Sequence, residues 1–127
     1  MANFKNGIIR EGSTSVGQGK PVGNIKNGIL KEGSSSSPGQ GKPVGNVKDG
    51  IIREGSSSSL GQGKPIGNVK DGVVRVGSSS SLGQGSTKGK VKDYSIKGME
   101  REHDAEIVAA YHCFIKKFLY LIFRIYI

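Results

Sequence analysis

A tandem repeat constrains this chain more than any other feature of its sequence. The same short sequence motif recurs through most of the 127 residues. Measured at one equivalent position, the intervals between copies are 21, 22, 22 and 22 residues. These positions are Asn6, Asn27, Asp49, Asp71 and Asp93. A fixed period of this length indicates a repeat architecture, in which each copy forms one small structural unit.

Each of the first four copies carries Asn-Gly or Asp-Gly next to β-branched or other apolar residues. This dipeptide is the strongest short-range signal for a β-hairpin, because a type I′ turn needs positive φ at both of its central residues. The sequence therefore predicts hairpin tips at these dipeptides. The predicted turn glycines are Gly7, Gly28, Gly50 and Gly72.

A two-residue loop also fixes which residues face each other. In the third copy it places Val47 opposite Ile52 on one face of the hairpin, and Asn46 opposite Arg53 on the other. The equivalent apolar pairs in the other copies are Phe4 with Ile9, Ile25 with Leu30, Val69 with Val74, and Val91 with Ile96. We expect the face with these pairs to be buried and the Asn46 face to be partly solvated.

One hairpin cannot fold alone. Burying its apolar pair contributes roughly 3–6 kcal/mol, against a conformational entropy cost of about 1.5 kcal/mol for each ordered residue. The copies must therefore share one core, either by stacking in a line or by closing into a ring. We expect a ring because the outermost copies are as apolar as the middle ones. The predicted fold is mainly β, with five tandem β-hairpin repeats in a ring-like array over residues 1–98, and one amphipathic helix in residues 99–127.

The hairpins are joined by segments rich in glycine and serine, such as 33–41, 55–63 and 77–85. In isolation such segments are typical of flexible linkers. Here their regular spacing favours surface loops, in which Leu60 and Leu82 act as anchors. Serine hydroxyls can order such loops through local hydrogen bonds or leave them mobile, and the sequence does not decide between these states.

The C-terminal segment has the apolar spacing of a helix that begins at a capping Asp104. Its apolar stripe is Ile107, Tyr111, Phe114, Phe118, Leu121 and Ile125. We expect this helix to cover the repeat domain, or to pair with a second copy in a homo-oligomer. Contact with a membrane surface is an alternative, whereas a span is disfavoured because Lys116 and Lys117 lie at its middle.

The sequence contains no recognisable catalytic or metal-binding constellation. The text around Gly63-Lys64 lacks the spacing of a phosphate-binding loop. His103, His112 and Cys113 lie on one predicted helix without four converging ligands, and adjacent residues such as His112 and Cys113 point in different directions. We therefore predict no enzyme activity, no metal and no cofactor. The absence of an export signal in the sequence as given predicts a cytoplasmic protein.

The net charge of +9 lies entirely in the repeats, where residues 1–98 hold 15 Lys/Arg and 6 Asp/Glu. Such a basic field favours anionic partners. The leading hypothesis is a noncatalytic structural or binding module, whose partner is an unidentified protein or anionic ligand, and the alternative is polyanion binding. Nucleic acid is not favoured because the repeats lack stacking aromatics. The candidate polyanion-binding residues are Lys48, Arg53, Lys64, Lys70 and Arg75.

The unit from Gly63 to Gly72 reads Gly-Lys-Pro-Ile-Gly-Asn-Val-Lys-Asp-Gly and recurs at 41–50 and 19–28. It resembles the five-fold beta-flower family of small bacterial proteins, whose hairpin repeats have the form G-K-x-I-G-x-V-x-D-G. The resemblance covers residues 3 to about 98, and the segment from Ala105 to Phe114 is similar to the Ala- and aromatic-rich ending of that family. It implies five hairpins around one axis and carries no established activity.

Overall fold

The computed structural model describes residues 1–115 as one antiparallel sheet and a short C-terminal helical segment. The strands pair in chain order from the first to the last. They are β1 (Ala2–Lys5), β2 (Ile8–Glu11), β3 (Lys20–Lys26), β4 (Ile29–Glu32), β5 (Lys42–Lys48), β6 (Ile51–Glu54), β7 (Lys64–Lys70), β8 (Val73–Val76) and β9 (Ser86–Lys90). The prediction of a mainly β chain built from hairpins is confirmed.

Four hairpins form at the predicted tips. At the third tip, Asp49 has φ +52° and Gly50 has φ +78°, and the other three tips have the same signs. The predicted register is confirmed as well: Val47 faces Ile52, and Asn46 faces Arg53. The local chemistry of Asn-Gly and Asp-Gly thus sets both the turn and the pairing that follows from it.

The fifth copy does not form a hairpin, so this part of the prediction is wrong. After β9, residues Val91–Tyr94 form a 3-10 helix, and Val91 does not pair with Ile96. The tip dipeptide of this copy is Asp93-Tyr94, which lacks the glycine that positive φ at the second position favours. Instead, the Asp93 carboxylate accepts a hydrogen bond from the Lys90 N–H at 3.0 Å and stabilises the tighter turn.

Successive hairpins are joined edge to edge, with a register shift at each junction. Between β4 and β5, for example, the pairing shifts between Leu30 and Lys31. Such bulges bend the strand and increase its twist, so the sheet can curve around one core. Each junction also has a hydrogen bond to the tip of the preceding hairpin, as from the Val47 N–H to the Gly28 carbonyl at 2.9 Å.

The inner face of the sheet, defined as the face with the Val47–Ile52 pair, forms one apolar cluster with the C-terminal segment. Ile9, Leu30 and Val74 are fully buried there. Val47 packs against the same cluster although it is half-buried. The hairpins therefore share a single core, as the energetics of an isolated copy require.

The helix α1 (Asp104–Ala110) packs against β5, β6, β7 and the 3-10 helix, and Tyr111–Ile115 continue it as a π-helix. Its cap is His103 rather than the predicted Asp104. Four consecutive residues, Ile107 to Ala110, are buried, so core contacts surround the helix and are not confined to one stripe. The predicted stripe positions Phe118, Leu121 and Ile125, together with Lys116 and Lys117, lie outside the described residues.

The edges of the sheet are β1 and β9, and they do not pair with each other. The segment that follows the 3-10 helix returns to β1, where the Phe4 N–H donates to the Lys97 carbonyl at 2.8 Å. Asn3 and Lys97 form an isolated parallel bridge at the same place. The sheet is therefore open. Its strand pairing does not show the predicted closure of the repeats into a ring.

Candidate functional site

Two equivalent grooves lie on the outer face of the sheet, which carries Asn46 and Arg53. Groove 2, at the second hairpin, has a volume of about 380 Å³. Groove 3, at the third hairpin, has a volume of about 410 Å³. Groove 2 is lined by Lys26, Asn27, Ile29, Lys31, Gly39, Ser58 and Leu60. Groove 3 is lined by Lys48, Asp49, Ile51, Arg53, Gly61, Ser80 and Leu82. Each residue of groove 3 lies 22 positions after its counterpart in groove 2.

A buried asparagine on each hairpin holds the loop that forms one wall of the groove. Asn46 is 1% exposed, its amide nitrogen donates to the Gln62 carbonyl at 2.7 Å, and its amide oxygen accepts from the Gly61 N–H at 3.1 Å. The equivalent residues Asn3, Asn24 and Asn68 hold their own loops in the same way. We call this arrangement the asparagine clamp.

The sequence-based expectation of a partly solvated outer face is therefore wrong at its centre. Asn46 lies under its loop, and Ile51, which is 5% exposed, is also buried on this face. The signal that could have revealed the clamp is a strand asparagine in the same place in four copies, since asparagine is depleted from strands unless its amide has partners.

The serine runs are ordered by a repeated turn. In the third loop, the Ser57 hydroxyl accepts a hydrogen bond from the Ser59 N–H at 3.0 Å. The same bond, at the same length, recurs two residues apart in the other three loops. The serine between these two partners, Ser58, is exposed and lines groove 2. The third and fourth loops thus present a hydroxyl, Ser58 or Ser80, to the groove of the preceding hairpin.

Each groove combines two cations in different environments. Lys48 is exposed, and its methylene chain lies close to Gly61. Arg53 is half-buried, and its guanidinium donates to the Gly63 carbonyl at 3.1 Å. In groove 2, the half-buried Lys31 donates to the Gly39 carbonyl at 3.0 Å. A carbonyl is a neutral acceptor, so these bonds position the cations without neutralising their charge.

The structure brings some of the predicted polyanion-binding residues together and separates another. Lys48 and Arg53 share groove 3. Lys70 and Arg75 occupy the same positions on the fourth hairpin, where Arg75 donates to the Thr87 hydroxyl at 3.2 Å. Lys64 lies at the other end of the hairpin, opposite Glu54 in the register of β6 and β7.

Sequence reasoning missed Lys26 and Lys31 as site residues. They form groove 2 in the way that Lys48 and Arg53 form groove 3. Shifting the predicted pair back by one repeat would have identified both. Gly7, Gly28, Gly50 and Gly72 lie at the four hairpin tips, as predicted.

The titratable groups of the helical segment lie apart from the grooves. His112 is 2% exposed, and its Nε2 lies 3.8 Å from a Glu54 carboxylate oxygen. Burial, with smaller effects of Asp93 and Tyr111, raises the pKa of Tyr94 to about 12. Burial also raises the pKa of Glu106. These groups pack at the junction of helix and sheet.

Within residues 1–115, the His, Cys, Asp and Glu side chains form no group of three that could hold a metal ion. No helix in this part of the chain is long and apolar enough to cross a membrane. Cys113, the single cysteine of the sequence, is half-buried and forms no disulfide within the chain.

The chain matches no protein-family model, no curated protein and no solved structure. The functional argument therefore depends on the geometry of the grooves.

Proposed function

We propose that this chain is a noncatalytic binding module whose outer face binds an anionic polymer. The observation that carries the proposal is the recurrence of one groove at a spacing of 22 residues, with two cations in each copy. A ligand with repeating negative charges can make the same contact at successive hairpins. The net charge of +9 strengthens the approach of such a ligand at long range.

A purely structural role is the second candidate. It is favoured by the contacts of Arg53 and Lys31, which hold their own loops through backbone carbonyls. Under this alternative, the cations stabilise the outer face and bind nothing. The two candidates differ in what the exposed Lys26 and Lys48 do, since neither donates to a loop carbonyl in the way that Lys31 does.

The test is a salt titration of binding to duplex DNA and to a sulfated polysaccharide. We expect binding at low salt, and we expect the double variant Lys26→Gln/Lys48→Gln to reduce the slope of log affinity against log salt by about 2. The matched control is Lys20→Gln/Lys42→Gln, which removes the same charge from strand ends opposite Glu11 and Glu32. Binding of neither probe at low salt would overturn anion binding and leave the structural role.

Equal weakening by the groove variant and by its control would show that general charge, rather than the grooves, attracts the polymer. Thermal unfolding of both variants checks that they are folded. Because all four lysines are exposed, we expect both variants to unfold within a few degrees of the unsubstituted chain.

We also propose that the repeats close into a ring through residues 95–98, in keeping with the beta-flower resemblance. The support is one hydrogen bond that resembles the backbone hydrogen bonds between successive copies. Phe4 donates to Lys97 at 2.8 Å, as Ile25 donates to Gly7 at 2.9 Å and Val47 donates to Gly28 at 2.9 Å. The donor in the contact between the last copy and the first is thus equivalent to the donors between successive copies, although the acceptor Lys97 is not a hairpin-tip glycine. Amide hydrogen exchange tests it: protection of the Phe4 N–H should equal that of Val47, whereas fast exchange at Phe4 would contradict closure.

A further inference from the structure

We infer that the polymer is an acidic polysaccharide with widely spaced negative groups, and that one polymer chain crosses two or more grooves at once. This inference rests on the proposed anion-binding function. It deepens that proposal by naming the class of ligand and the way in which the ligand lies on the sheet.

The first argument is the spacing of the grooves. Grooves 2 and 3 are one hairpin apart, which is two strands in the sheet order. Neighbouring strands lie about 4.7–4.9 Å apart, so equivalent cations recur about every 9–10 Å across the sheet. A nucleic acid strand has a phosphate about every 3.4 Å along its helix axis, which is far denser than the row of cations. An extended glycan with an anionic group on every second sugar has sparser charges, which suit this row without leaving unpaired anions between the cations.

The second argument is the chemistry of the groove walls. Beside the cations, groove 3 contains the Ser80 hydroxyl, the Asp49 carboxylate and the side chain of Leu82, which is 42% exposed. Sugar hydroxyls can bond with Ser80 and Asp49, and the apolar face of a sugar ring can pack on Leu82. The described lining residues of both grooves include no aromatic side chain on which a nucleic acid base could stack.

The third argument is the direction of the row. The exposed lysines at equivalent positions of successive hairpins are Lys5, Lys26, Lys48 and Lys70. Because the strands follow one another in chain order, these residues form a row that runs across the strands. Arg53 can add a second contact for a carboxylate, since a guanidinium carries five N–H donors and the Gly63 carbonyl accepts one of them. A linear ligand along this row meets two cations, a serine hydroxyl and a leucine side chain at both grooves.

The experiment measures affinity for a length series of a glycan with one uronate per disaccharide, such as hyaluronan. The full chain is titrated with a single disaccharide and with progressively longer oligomers at constant low salt. We expect very weak binding of the disaccharide and a rise of at least about tenfold once an oligomer spans two grooves, because the second contact becomes intramolecular. The Lys26→Gln/Lys48→Gln variant should lose this length dependence, and the Lys20→Gln/Lys42→Gln control should retain it.

Three outcomes would overturn the inference. An affinity that does not depend on oligomer length would exclude the crossing of several grooves. Binding of duplex DNA or of the sulfated polysaccharide without binding of the uronate glycan would exclude the ligand class but leave the proposed anion-binding function standing. Failure of every polyanion to bind would remove both proposals together.

Discussion

The first four copies and the fifth copy share a sequence pattern but differ in structure. Asp49-Gly50 forms a type I′ tip with positive φ at both residues, whereas Asp93-Tyr94 lies in a 3-10 helix. Tyr94 is then 4% exposed, donates to the Lys88 carbonyl at 2.6 Å and packs edge-on against Tyr111. One change from glycine to tyrosine thus accompanies a change from a solvent-exposed tip to a core contact with the helical segment.

The same comparison explains where the asparagine clamp occurs. The clamp position is Asn in the four copies that are followed by a serine-rich loop, and it is Lys90 in the fifth, which is not. The asparagine clamp and the serine-rich loop therefore occur together as one structural unit. The fifth copy has neither of them. The segment that follows it contacts β1 instead, through the hydrogen bond between Phe4 and Lys97.

The largest expected effect on stability comes from disrupting the contact between the segment around Lys97 and β1. Gly98 has φ +98°, and a Cβ at this position would collide with the Phe4 carbonyl oxygen. We expect Gly98→Ala to reduce the free energy of unfolding by about 2–5 kcal/mol, from the strained backbone together with the overlap. Chemical denaturation measures the loss.

The matched control for this variant is Gly12→Ala. Gly12 has φ +90° and no atom within 4 Å of the added Cβ, so its cost is that of the backbone alone, about 1–2 kcal/mol. Equal losses in the two variants would mean that the return to β1 contributes nothing to stability.

The second largest effect comes from breaking a regular copy. Asn46→Ala removes two hydrogen bonds and leaves the Gly61 N–H and the Gln62 carbonyl without this partner, so we expect a loss of about 2–3 kcal/mol in unfolding free energy. Gln62→Ala is the control: the clamp uses its backbone carbonyl and its side chain is exposed, so it should change stability by less than about 0.5 kcal/mol. A comparable loss in both variants would contradict the clamp.

A smaller effect tests the core contact of the fifth copy. Tyr94→Phe removes the bond to Lys88 and should reduce stability by about 1 kcal/mol at neutral pH. The pKa of Tyr94 is raised from 10.0 to about 12, so the folded state holds the phenol proton more tightly than the unfolded state. The stability linked to this group is complete below pH 10 and is lost as the pH rises towards 12.

The stability of the unsubstituted protein should therefore converge with that of the variant, and then fall below it, as the pH rises towards 12, because the variant lacks this titration. Unfolding curves of both proteins from neutral pH to pH about 12 measure the convergence. A stability difference that stays constant over this range would show that Tyr94 is not buried as described.

The smallest effect compares two hairpin tips. Gly50 and Gly72 have φ +78° and +76°, so an alanine strains the backbone equally at both. At Gly50 the added Cβ would also lie 2.9 Å from a Leu82 methyl carbon and 3.0 Å from the Val69 carbonyl oxygen, whereas nothing lies within 4 Å at Gly72. We expect Gly50→Ala to cost about 0.5–1 kcal/mol more than Gly72→Ala. Equal costs would indicate that the next loop does not press on the tip.

Part of this fold and site could be predicted from the sequence because it depends on neighbours in the chain. The turn at Asp49-Gly50 and the pairing of Val47 with Ile52 follow from two residues and the strand period. The cations Lys48 and Arg53 were predicted from the basic charge of the repeats, and the register places them on one face. The loop that completes their groove comes from the following repeat, and its Ser80 and Leu82 were not predicted as lining residues.

The sequence by itself determined the hairpin tips, their register and the inner face of the sheet, since each depends on local backbone chemistry. Only the tertiary structure decided that Asn46 lies under a loop, that Tyr94 packs on Tyr111, and that Phe4 meets Lys97. These contacts join residues that lie at least 15 positions apart in the sequence. Their free energy comes from burying groups together, which depends on the whole arrangement of the sheet and not on adjacent residues.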